Sequence, residues 1–418
     1  MKIKFVSHAS FITKVNGKNI ICDPWVKGKV FNDGWALLSP AYRIDWSSID
    51  YIYISHEHPD HFNFPTLKSI PTEDKSRIKI LYQKHASLRL KNAFLKLGFK
   101  EVIELSIYKW STIDDIDFYC GSAGSMDAFL AIRHNNQTCL NLNDCVFNNK
   151  QYNYIKRKIG KIDILFTQFS FANWVGNDKD EYDECGQKIE DIRKQIEIFK
   201  PTSTIPFASF VYFCSKENSR MNDWVNTPKK IADLNLNGVN FMYPGDEIEV
   251  QNPIFKSSEA VNLFMADFQN IEIDKTPETI SLQDILNTAQ SNLATFHKKI
   301  NPLFRKFVKP FSIFIHDLDK TILIDPKNNK ISLTQKSKAK YEMCSQVCWY
   351  MFKWGWGANT LQVSGMYKDL KMDQPTSKYF FFQNMISTEY LLLKSFKQVI
   401  RTSHFFYRKK WELFYKFF

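Results

Sequence analysis

Short runs of alternating apolar and polar residues open the chain, and this period of two predicts β-strands. An Asn-Gly pair at positions 16 and 17 separates two of these runs and predicts a hairpin turn. A later apolar run predicts a buried strand that ends at once in polar residues. The strands predicted within the first sixty residues are 2–5, Ser10–Val15, Lys18–Cys22 and Tyr51–Ile54.

Strand and helix patterns alternate from residue 60 to about residue 255. Apolar spacing predicts a helix that opens at residue 66 and a second helix over 86–97, and a turn at Asn135-Asn136 joins two strands into a hairpin. Helices that cover two packed sheets produce such an alternation, so we predict an α/β fold arranged as an αββα sandwich. The strands predicted here are 78–81, Glu101–Leu105, 116–120, 129–132 and 138–142.

The last part of the chain has a different pattern. A chain of 418 residues is too long for one ordinary core, so two domains are expected. We predict a first domain over 1–255, a polar helical connector over 256–308 and a small α+β domain over 309–418. The elements predicted in the small domain are strands Phe311–Ile315, 320–324 and Lys330–Thr334 and a helix over 340–353.

Composition and charge narrow the classes of function. The chain is 44% hydrophobic and 24% charged, as globular proteins are, and its net charge is +12. Residues 394–418 hold seven Lys or Arg among many aromatic residues, which predicts either a peripheral membrane contact or a terminal helix packed on the second domain. The rest of the chain is mildly basic, which suits a small anionic substrate and does not require nucleic acid.

Cysteine usage and hydropathy indicate the cellular compartment in which the protein is expected. The eight cysteines are scattered without a CxxC pair, and the first strand begins without a preceding signal peptide, so we expect a reduced, cytoplasmic protein. The sequence contains no run of eighteen apolar residues that would predict a membrane span. Cys344 and Cys348 lie one helical turn apart, and we interpret them as two buried small residues rather than a metal or redox pair.

The residues with the clearest chemistry follow the strand Tyr51–Ile54. Three of the nine histidines lie within six residues, and a proline and an aspartate lie between the last two of them. Neutral imidazole nitrogens and an anionic oxygen at the end of a rigid strand are what a zinc or iron site requires. The candidate metal ligands in this HxHxDH pattern are His56, His58, Asp60 and His61.

The HxHxDH spacing resembles the metal-binding signature of the metallo-β-lactamase superfamily, in which two metal sites lie side by side at the edge of a sandwich. The resemblance implies that His56 and His58 serve one site while Asp60 and His61 serve the other. It also implies that Asp144, at the end of another apolar strand, is the carboxylate that bridges two metals.

The stretch LNLNDC at 140–145 is similar to one branch of that superfamily, the metallo-β-lactamase-like domain of CMP-N-acetylneuraminic acid hydroxylase and its bacterial relatives. Stretches within 168–174, 206–210, 215–223 and 243–246 share this resemblance, which therefore covers about residues 1–255. Separately, WGWGANTLQVSG at 354–365 resembles a sterol-carrier-like module, which implies an apolar cleft.

The sequence departs from the hydrolytic members of the superfamily at two places. No histidine follows the predicted strand 116–120, and Ala208 stands where a last histidine is typical, so each site lacks one imidazole. The nearby residues that could compensate are Asp127, His134 and Glu217. We rank Glu217 first because it lies in a branch-like stretch, with the alternative that it orients a ligand histidine by a hydrogen bond.

The shortage of imidazoles favours iron over zinc. We therefore predict a metal-dependent enzyme with one or two iron ions, an oxygen-dependent hydroxylase or oxidase, and the resemblance implies a sugar or sugar-nucleotide substrate. The alternatives are a zinc-dependent hydrolase of an ester, lactone, amide or phosphoester, and an inactive binding scaffold. The predicted catalytic residues are Asp60, Glu217 and Asn218.

The sequence leaves two questions open, the source of electrons for an oxygenase and the position of His8. The paired Cys-x-His and Cys-x-x-His loops of a Rieske centre are absent from these 418 residues, so an oxygenase would require a separate electron donor, a dinuclear iron site or a substrate that supplies its own electrons. His8 lies in a Ser-His-Ala-Ser context similar to that of lactonase-like members of the superfamily. The side chain of His8 could face the metal site or pack elsewhere, and the sequence favours neither placement.

Overall fold

The computed structural model describes residues 1–84, 88–124, 126–171, 173–177, 183–275, 277–300, 302–371 and 378–387. The basic, aromatic segment 394–418 and Ala172 lie outside the described residues. In chain order the first elements are β1 (Lys2–Ser7), β2 (Ser10–Val15), β3 (Lys18–Cys22), β4 (Trp35–Leu37), β5 (Tyr51–Ile54), α1 (Phe64–Ser69), α2 (Thr72–Arg77), β6 (Lys79–Gln83), α3 (Arg89–Leu97), β7 (Glu101–Leu105), β8 (Lys109–Ile113) and β9 (Ile116–Ala123).

The chain then completes the first domain and forms a second one. The middle elements are β10 (Asp127–His134), β11 (Gln137–Asn141), α4 (Asn149–Ile159), β12 (Ile164–Gln168), α5 (Glu184–Phe199), β13 (Ser203–Phe207), β14 (Val211–Phe213), α6 (Pro228–Ala232), β15 (Glu247–Glu249) and α7 (Ser257–Gln269). The last are α8 (Leu282–Lys299), α9 (Pro302–Arg305), β16 (Phe311–Ile315), β17 (Lys320–Asp325), β18 (Lys330–Thr334), β19 (Tyr341–Met343), α10 (Ser345–Lys353), α11 (Gly357–Ser364), β20 (Lys368–Asp369) and α12 (Lys378–Ser387).

Two sheets face each other in the first domain. One has the strand order β15-β1-β2-β3-β5-β6-β7 and the other has the order β13-β12-β11-β10-β9-β8. Their inner faces meet in an apolar core, where the ring of Phe11 on β2 stacks on Phe166 of β12 with centroids 4.1 Å apart. Sheets with one apolar face each bury that face most simply against one another, as the alternating sequence pattern indicated.

Helices cover both outer faces of this sandwich. Leu67 of α1 and Phe94 of α3 pack on the first sheet, and α4 and α5 pack on the second. The sequence of α4 shows how such a helix is specified: Asn148 and Gln151 form a reciprocal capping box, and the apolar residues that follow recur on one buried face. The predicted αββα arrangement is therefore confirmed.

The parallel strands of the sandwich decide where the chemistry lies. β3, β5, β6 and β7 run parallel in the first sheet, and β11, β12 and β13 run parallel in the second. The carboxyl ends of parallel strands meet at one edge of a sheet, and the loops that leave those ends form a common cleft. Residues that follow β3, β5, β11 and β12 are thus brought together.

The second domain is a smaller α+β unit with the sheet order β18-β17-β16-β19-β20. Its three predicted strands are present, but the predicted helix 340–353 is wrong at its start. Residues Tyr341–Met343 form β19, which pairs in parallel with β16, and the helix begins only at Ser345. Tyr341 is fully buried, so tertiary pairing outweighs the local helical pattern.

The two long helices of the predicted connector pack into different cores. Phe264 of α7 stacks on Phe210 of the sandwich with ring centroids 4.0 Å apart. Ile285, Leu293 and Phe296 of α8 belong instead to the core of the second domain. Among the described residues no helix is both long and apolar enough to cross a membrane.

The cysteine pair of the second domain lies in its core. Both thiols are buried and unpaired, and burial raises the pKa of Cys344 to about 12. A thiol with so high a pKa is protonated at neutral pH and is a poor metal ligand or nucleophile. This placement agrees with the packing interpretation of Cys344 and Cys348.

Candidate metal centre

The loop after β5 begins at the carboxyl end of a fully buried strand and turns sharply. The backbone N–H groups of His61 and Phe62 both donate to the carbonyl oxygen of His58, at 3.0 and 2.7 Å. Asn63 then caps α1 through its side-chain oxygen and donates its amide hydrogen to Pro59 O at 3.0 Å. These bonds fix the loop, so that its histidines and Asp60 point to one side.

Three groups of three side chains converge at this loop, with one ligand atom from each side chain within 4.8 Å of the others in its group. Each group contains two imidazoles and one carboxylate. The five metal ligands expected from sequence all belong to these groups, and Asp127 and His8 complete them. The groups are His56, His58 and Asp127; His56, His61 and Asp144; and His8, Asp60 and His61.

The two missing histidines have spatial counterparts. Asp127 at the start of β10 has its Oδ1 atom 3.8 Å from His56 Nε2, on the side where the third histidine was expected. His8 lies beside Ala208, whose backbone N–H donates to His8 O at 2.8 Å, and its Nε2 atom is 3.4 Å from Asp60 Oδ2. A carboxylate and a histidine from the opening hairpin thus complete the two ends of the cluster.

The imidazoles of His56 and His58 are available as neutral donors. Burial, with the charge of His61, lowers the pKa of His56 to about 4, and burial with the neighbouring His56 lowers the pKa of His58. Both rings are therefore neutral near pH 7, the form in which imidazole binds a metal.

Several buried polar atoms of the cluster lack hydrogen-bond partners. Within the described part of the chain these include His58 Nε2, His8 Nδ1 and Asp60 Oδ1. A buried polar atom without a partner costs free energy unless an ion or water satisfies it. The residues present therefore fit a bound transition metal.

His61 holds the two carboxylates together when no metal is bound. Burial alone would lower its pKa, but Asp60 and Asp144 outweigh burial and raise the pKa of His61 well above its usual value. Its Nε2 atom lies 3.2 Å from both carboxylates. Burial would raise the pKa of the Asp144 carboxyl, but the charge of His61 outweighs burial and lowers this pKa to about 2. A metal ion at this position would have to displace the proton of His61.

Asp23 orients the ring of His61 through a hydrogen bond, and this role was not predicted from the sequence. Its carboxylate accepts hydrogen bonds from the backbone N–H of Ser55 at 2.8 Å, from Ser55 Oγ at 2.7 Å and from His61 Nδ1 at 3.0 Å. Asn143 donates to the same carboxylate. The Asp-Pro turn after β3 was the available signal, because a carboxylate at a strand end can fix a ligand histidine.

We expect Asp23→Asn to weaken metal binding by roughly 10- to 100-fold, because loss of the carboxylate frees the His61 ring and makes it less basic. Competition with a chromophoric chelator measures this affinity. Asp115→Asn is the matched control, because Asp115 is an exposed turn residue at φ 57°, a conformation that asparagine tolerates. Equal affinities for wild type and Asp23→Asn would contradict the orienting role.

The described structure does not bring every predicted residue to the cluster. None of the three ligand groups includes Glu217 or His134, and the amide of Asn218 donates to Gly34 O and Ser364 O. Glu217 Oε2 lies 3.0 Å from His316 Nε2 of the second domain, and His134 Nδ1 lies 3.0 Å from Asp115 O at the far end of a hairpin. Asn218 is fully buried between backbone groups of the two domains. Of the three compensating candidates, only Asp127 joins the cluster.

A half-buried lysine, Lys188, contacts the cluster through the side chain of Gln168. Gln168 at the end of β12 donates from Nε2 to Asp144 Oδ1 at 3.3 Å, and Lys188 of α5 donates to the other end of the same amide. Burial lowers the pKa of Lys188. The amide is therefore held in one orientation, which positions Asp144.

Comparisons with known proteins agree with this geometry. Residues 2–116 match the family model described as a beta-lactamase superfamily domain. A putative Rieske 2Fe-2S iron–sulfur protein of Mycobacterium tuberculosis is 25% identical over 260 residues, which are 55% of this chain and 48% of the relative. The cytidine monophosphate-N-acetylneuraminic acid hydroxylase of Xenopus laevis is 29% identical over 156 residues, which are 35% of this chain and 26% of that enzyme. The chain thus spans about half or less of the length of these curated relatives.

Two solved structures are similar to part of this chain. An isothiocyanate hydrolase from Delia radicum gut bacteria aligns with a TM-score of 0.45 and 13% identity, over 60% of this chain and 98% of the hydrolase. CmlA, a diiron β-hydroxylase from Streptomyces venezuelae, aligns with a TM-score of 0.36 and 19% identity, over 50% and 44%. Likeness at this level carries no argument about function. On the sequence comparisons, residues 2–116 belong to the beta-lactamase superfamily domain family, and part of the chain is homologous to part of the cytidine monophosphate-N-acetylneuraminic acid hydroxylases.

Proposed function

We propose that this protein is an iron- and dioxygen-dependent hydroxylase or oxidase. The observation that carries the proposal is the composition of the three ligand groups, each of which has two histidines and one carboxylate. Two imidazoles and a carboxylate, with further positions left open, are typical of non-haem iron sites that use dioxygen. The names of the hydroxylase relatives support the same reaction class.

The residues that would hold iron are the members of these groups, with His56 and His61 each shared between two of them. Bound iron would supply the activation of dioxygen. The chain supplies neutral donors at His56 and His58, a fixed His61 through Asp23, and a fixed Asp144 through Gln168.

Buried aromatic side chains beside the cluster limit the access of water to it. The ring of Phe31 meets His58 edge-on with centroids 5.9 Å apart, and the ring of Trp25 meets His8 in the same way at 5.6 Å. Both aromatic side chains are buried. An apolar surround strengthens the electrostatic contacts inside a site and limits side reactions with solvent.

A zinc-dependent hydrolase is the second candidate, and one observation favours it. Burial raises the pKa of Asp127 to about 6; His58 opposes this shift and Asp144 adds to it. A carboxylate with a pKa close to neutrality is suited to accept a proton from water during hydrolysis. In this alternative Asp127 would act beside the metal as a base rather than as a ligand.

Anaerobic reconstitution separates the two candidates. We expect the iron-loaded protein, given a chemical reductant and dioxygen, to couple oxygen uptake to the loss of substrate, with CMP-N-acetylneuraminic acid as the first sugar nucleotide tested. The zinc-loaded protein should be inactive on it and on p-nitrophenyl esters. Asp144→Ala should lower the oxygen-coupled turnover by more than about 100-fold, because it removes the carboxylate of one of the three candidate ligand groups.

Turnover of an ester or sugar nucleotide by the zinc form without oxygen would reject the oxygenase and leave the hydrolase. Glu247→Ala is the control for Asp144→Ala, because Glu247 lies on the edge strand β15 and pairs with Lys4 and Lys14. The source of electrons in the cell is proposed to be a separate donor protein. A chemical reductant replaces that donor in the assay.

A further inference from the structure

A cleft separates the metal cluster from the second domain, and two of its chambers open on His58. Their volumes are about 630 and 530 Å³. His58 and Met126 line both chambers from the first domain, and Asn359 of α11 lines both from the second. The second domain therefore forms a wall of the space that faces the candidate metal centre.

The smaller chamber is polar and adjoins the cluster. Asp127 lies on one side of it, and the side chains of Asn359 and Gln362 lie on the other. Trp174 and Tyr367, one from each domain, also line it and stack with ring centroids 5.0 Å apart. Within the described structure neither Asn359 nor Gln362 has a side-chain hydrogen bond, so both amides can donate to and accept from a bound molecule.

The larger chamber is mostly apolar. Phe64 of α1 and Trp356, just before α11, line it from opposite domains, and each remains 51% exposed. Their exposed faces would be covered by a ligand in the chamber. The other apolar side chains of the lining include Val30, Phe31, Phe62, Leu90 and Ala93.

The cations of the larger chamber already have anionic partners. Lys29 pairs with Asp274, and Arg89 pairs with Glu57. A phosphate in this chamber would have to compete with those carboxylates. The chamber is therefore better suited to an uncharged, apolar group than to the phosphate of a nucleotide.

Contacts between the domains hold α11 in place. Arg220 donates to Tyr367 O at 3.1 Å, and the backbone N–H of Trp174 donates to Gln362 O at 2.8 Å. Asn32 and Gln346 exchange two amide hydrogen bonds of 2.9 Å. A wall fixed in this way is preorganised and loses little entropy when a ligand binds.

We propose that α11 completes the substrate site and that the substrate is amphiphilic, with an uncharged acyl or aryl group. Its polar, reacting end lies in the smaller chamber between Asp127 and the amides of Asn359 and Gln362. Its apolar group fills the larger chamber against Trp356. This inference rests on the proposed function only in that the reacting end is placed beside the metal cluster.

Binding of two matched probes tests the inference without turnover. N-Octanoylglucosamine and N-acetylglucosamine share a polar head and differ by six methylene groups. Titration calorimetry with zinc-loaded protein should show that the octanoyl probe binds at least about 30-fold more tightly, because each methylene buried in an apolar chamber adds affinity. CMP should bind more weakly than the octanoyl probe.

Two variants locate the binding. Trp356→Ala should lower the octanoyl-to-acetyl affinity ratio at least about 5-fold, whereas Asn359→Ala should weaken both probes by a similar factor, because it contacts the shared head. Phe307→Ala and Asn153→Ala are the controls, because both residues are exposed and neither lines these two chambers. Both controls should bind as wild type does.

The outcomes distinguish this inference from the proposed function. Equal affinities for the two probes, tighter binding of CMP, or an unchanged ratio in folded Trp356→Ala would overturn the cleft inference. Oxygen-coupled turnover could still be observed in that case. Conversely, a strong chain-length preference in a protein that never consumes oxygen would support the cleft and reject the oxygenase.

Discussion

Replacing His56 and His58 together by alanine is expected to remove at least one equivalent of bound metal per chain and to lower turnover by more than about 100-fold. His56 belongs to two of the three ligand groups, and His58 completes one of them. Without these two imidazoles, Asp127 and Asp144 keep only one histidine between them, His61. Elemental analysis of purified protein, with the metal content of wild type as reference, measures the loss.

His134→Ala is the matched control for that double variant. His134 lies at the end of β10 on a hairpin, where its ring contacts the backbone oxygen of Asp115. Removal of this histidine should leave metal content and activity unchanged. An unchanged metal content in the His56→Ala/His58→Ala protein would show that His56 and His58 hold no metal, and the ligand assignment on which the proposed oxygenase and hydrolase both rest would fail.

Asn218→Ala is expected to destabilise the protein by about 2–4 kcal/mol. The side chain of Asn218 is fully buried and donates to Gly34 O at 3.0 Å and to Ser364 O at 2.7 Å. It also accepts a hydrogen bond of 3.1 Å from the backbone N–H of Ser215. Alanine would leave some of these backbone groups buried without partners and would remove a tie between the domains.

Thermal unfolding measures this effect, and Asn153→Ala is its control. Asn153 is exposed on α4, where alanine has the better helix propensity, so this variant should be as stable as wild type or slightly more stable. Metal content should be unchanged in both variants. If Asn218→Ala unfolds at the wild-type temperature but has lost its activity, the sequence-based prediction of a catalytic role for Asn218 would stand and the structural role would not.

A structural role is the alternative to the predicted catalytic role of Glu217, as it is for Asn218. Its carboxylate contacts His316 of the second domain, so it links the domains near Asn218. The stretch 215–223 that resembles the hydroxylase branch thus lies at the domain interface. In this chain the stretch therefore takes part in the docking of the second domain.

Local pattern was sufficient for the strands that open the first domain and for its first hairpin. The Asn-Gly hairpin and the strand Tyr51–Ile54 follow from period and turn chemistry that act within a few residues. Strand β8 and the start of α10 were missed because their conformation depends on neighbours far away in the chain. β8 pairs with β9 and β19 pairs with β16, so their strand character comes from partners rather than from their own sequence.

The chemical character of the site followed from the sequence alone, because His56, His58, Asp60 and His61 lie within one short loop at a strand end. Spacing within such a loop decides which side chains converge. The bridging role of Asp144 was implied only by the resemblance to the superfamily and stays a prediction, and the structure places its carboxylate 3.2 Å from His61 Nε2. The convergence of the side chains within the loop depends on local chain geometry, which a residue pattern encodes.

The sequence named His8 and Asp127 as candidates, but only the tertiary structure places them in the cluster. The orienting contact of Asp23 and the position of Asn359 of the second domain beside His58 were revealed by the tertiary structure alone. Asn218 and Ser364, whose contact helps to place α11, are separated by 146 positions. Such contacts arise because packing of the two apolar cores brings distant surfaces together, and no local period or spacing in one sequence records which surfaces will meet.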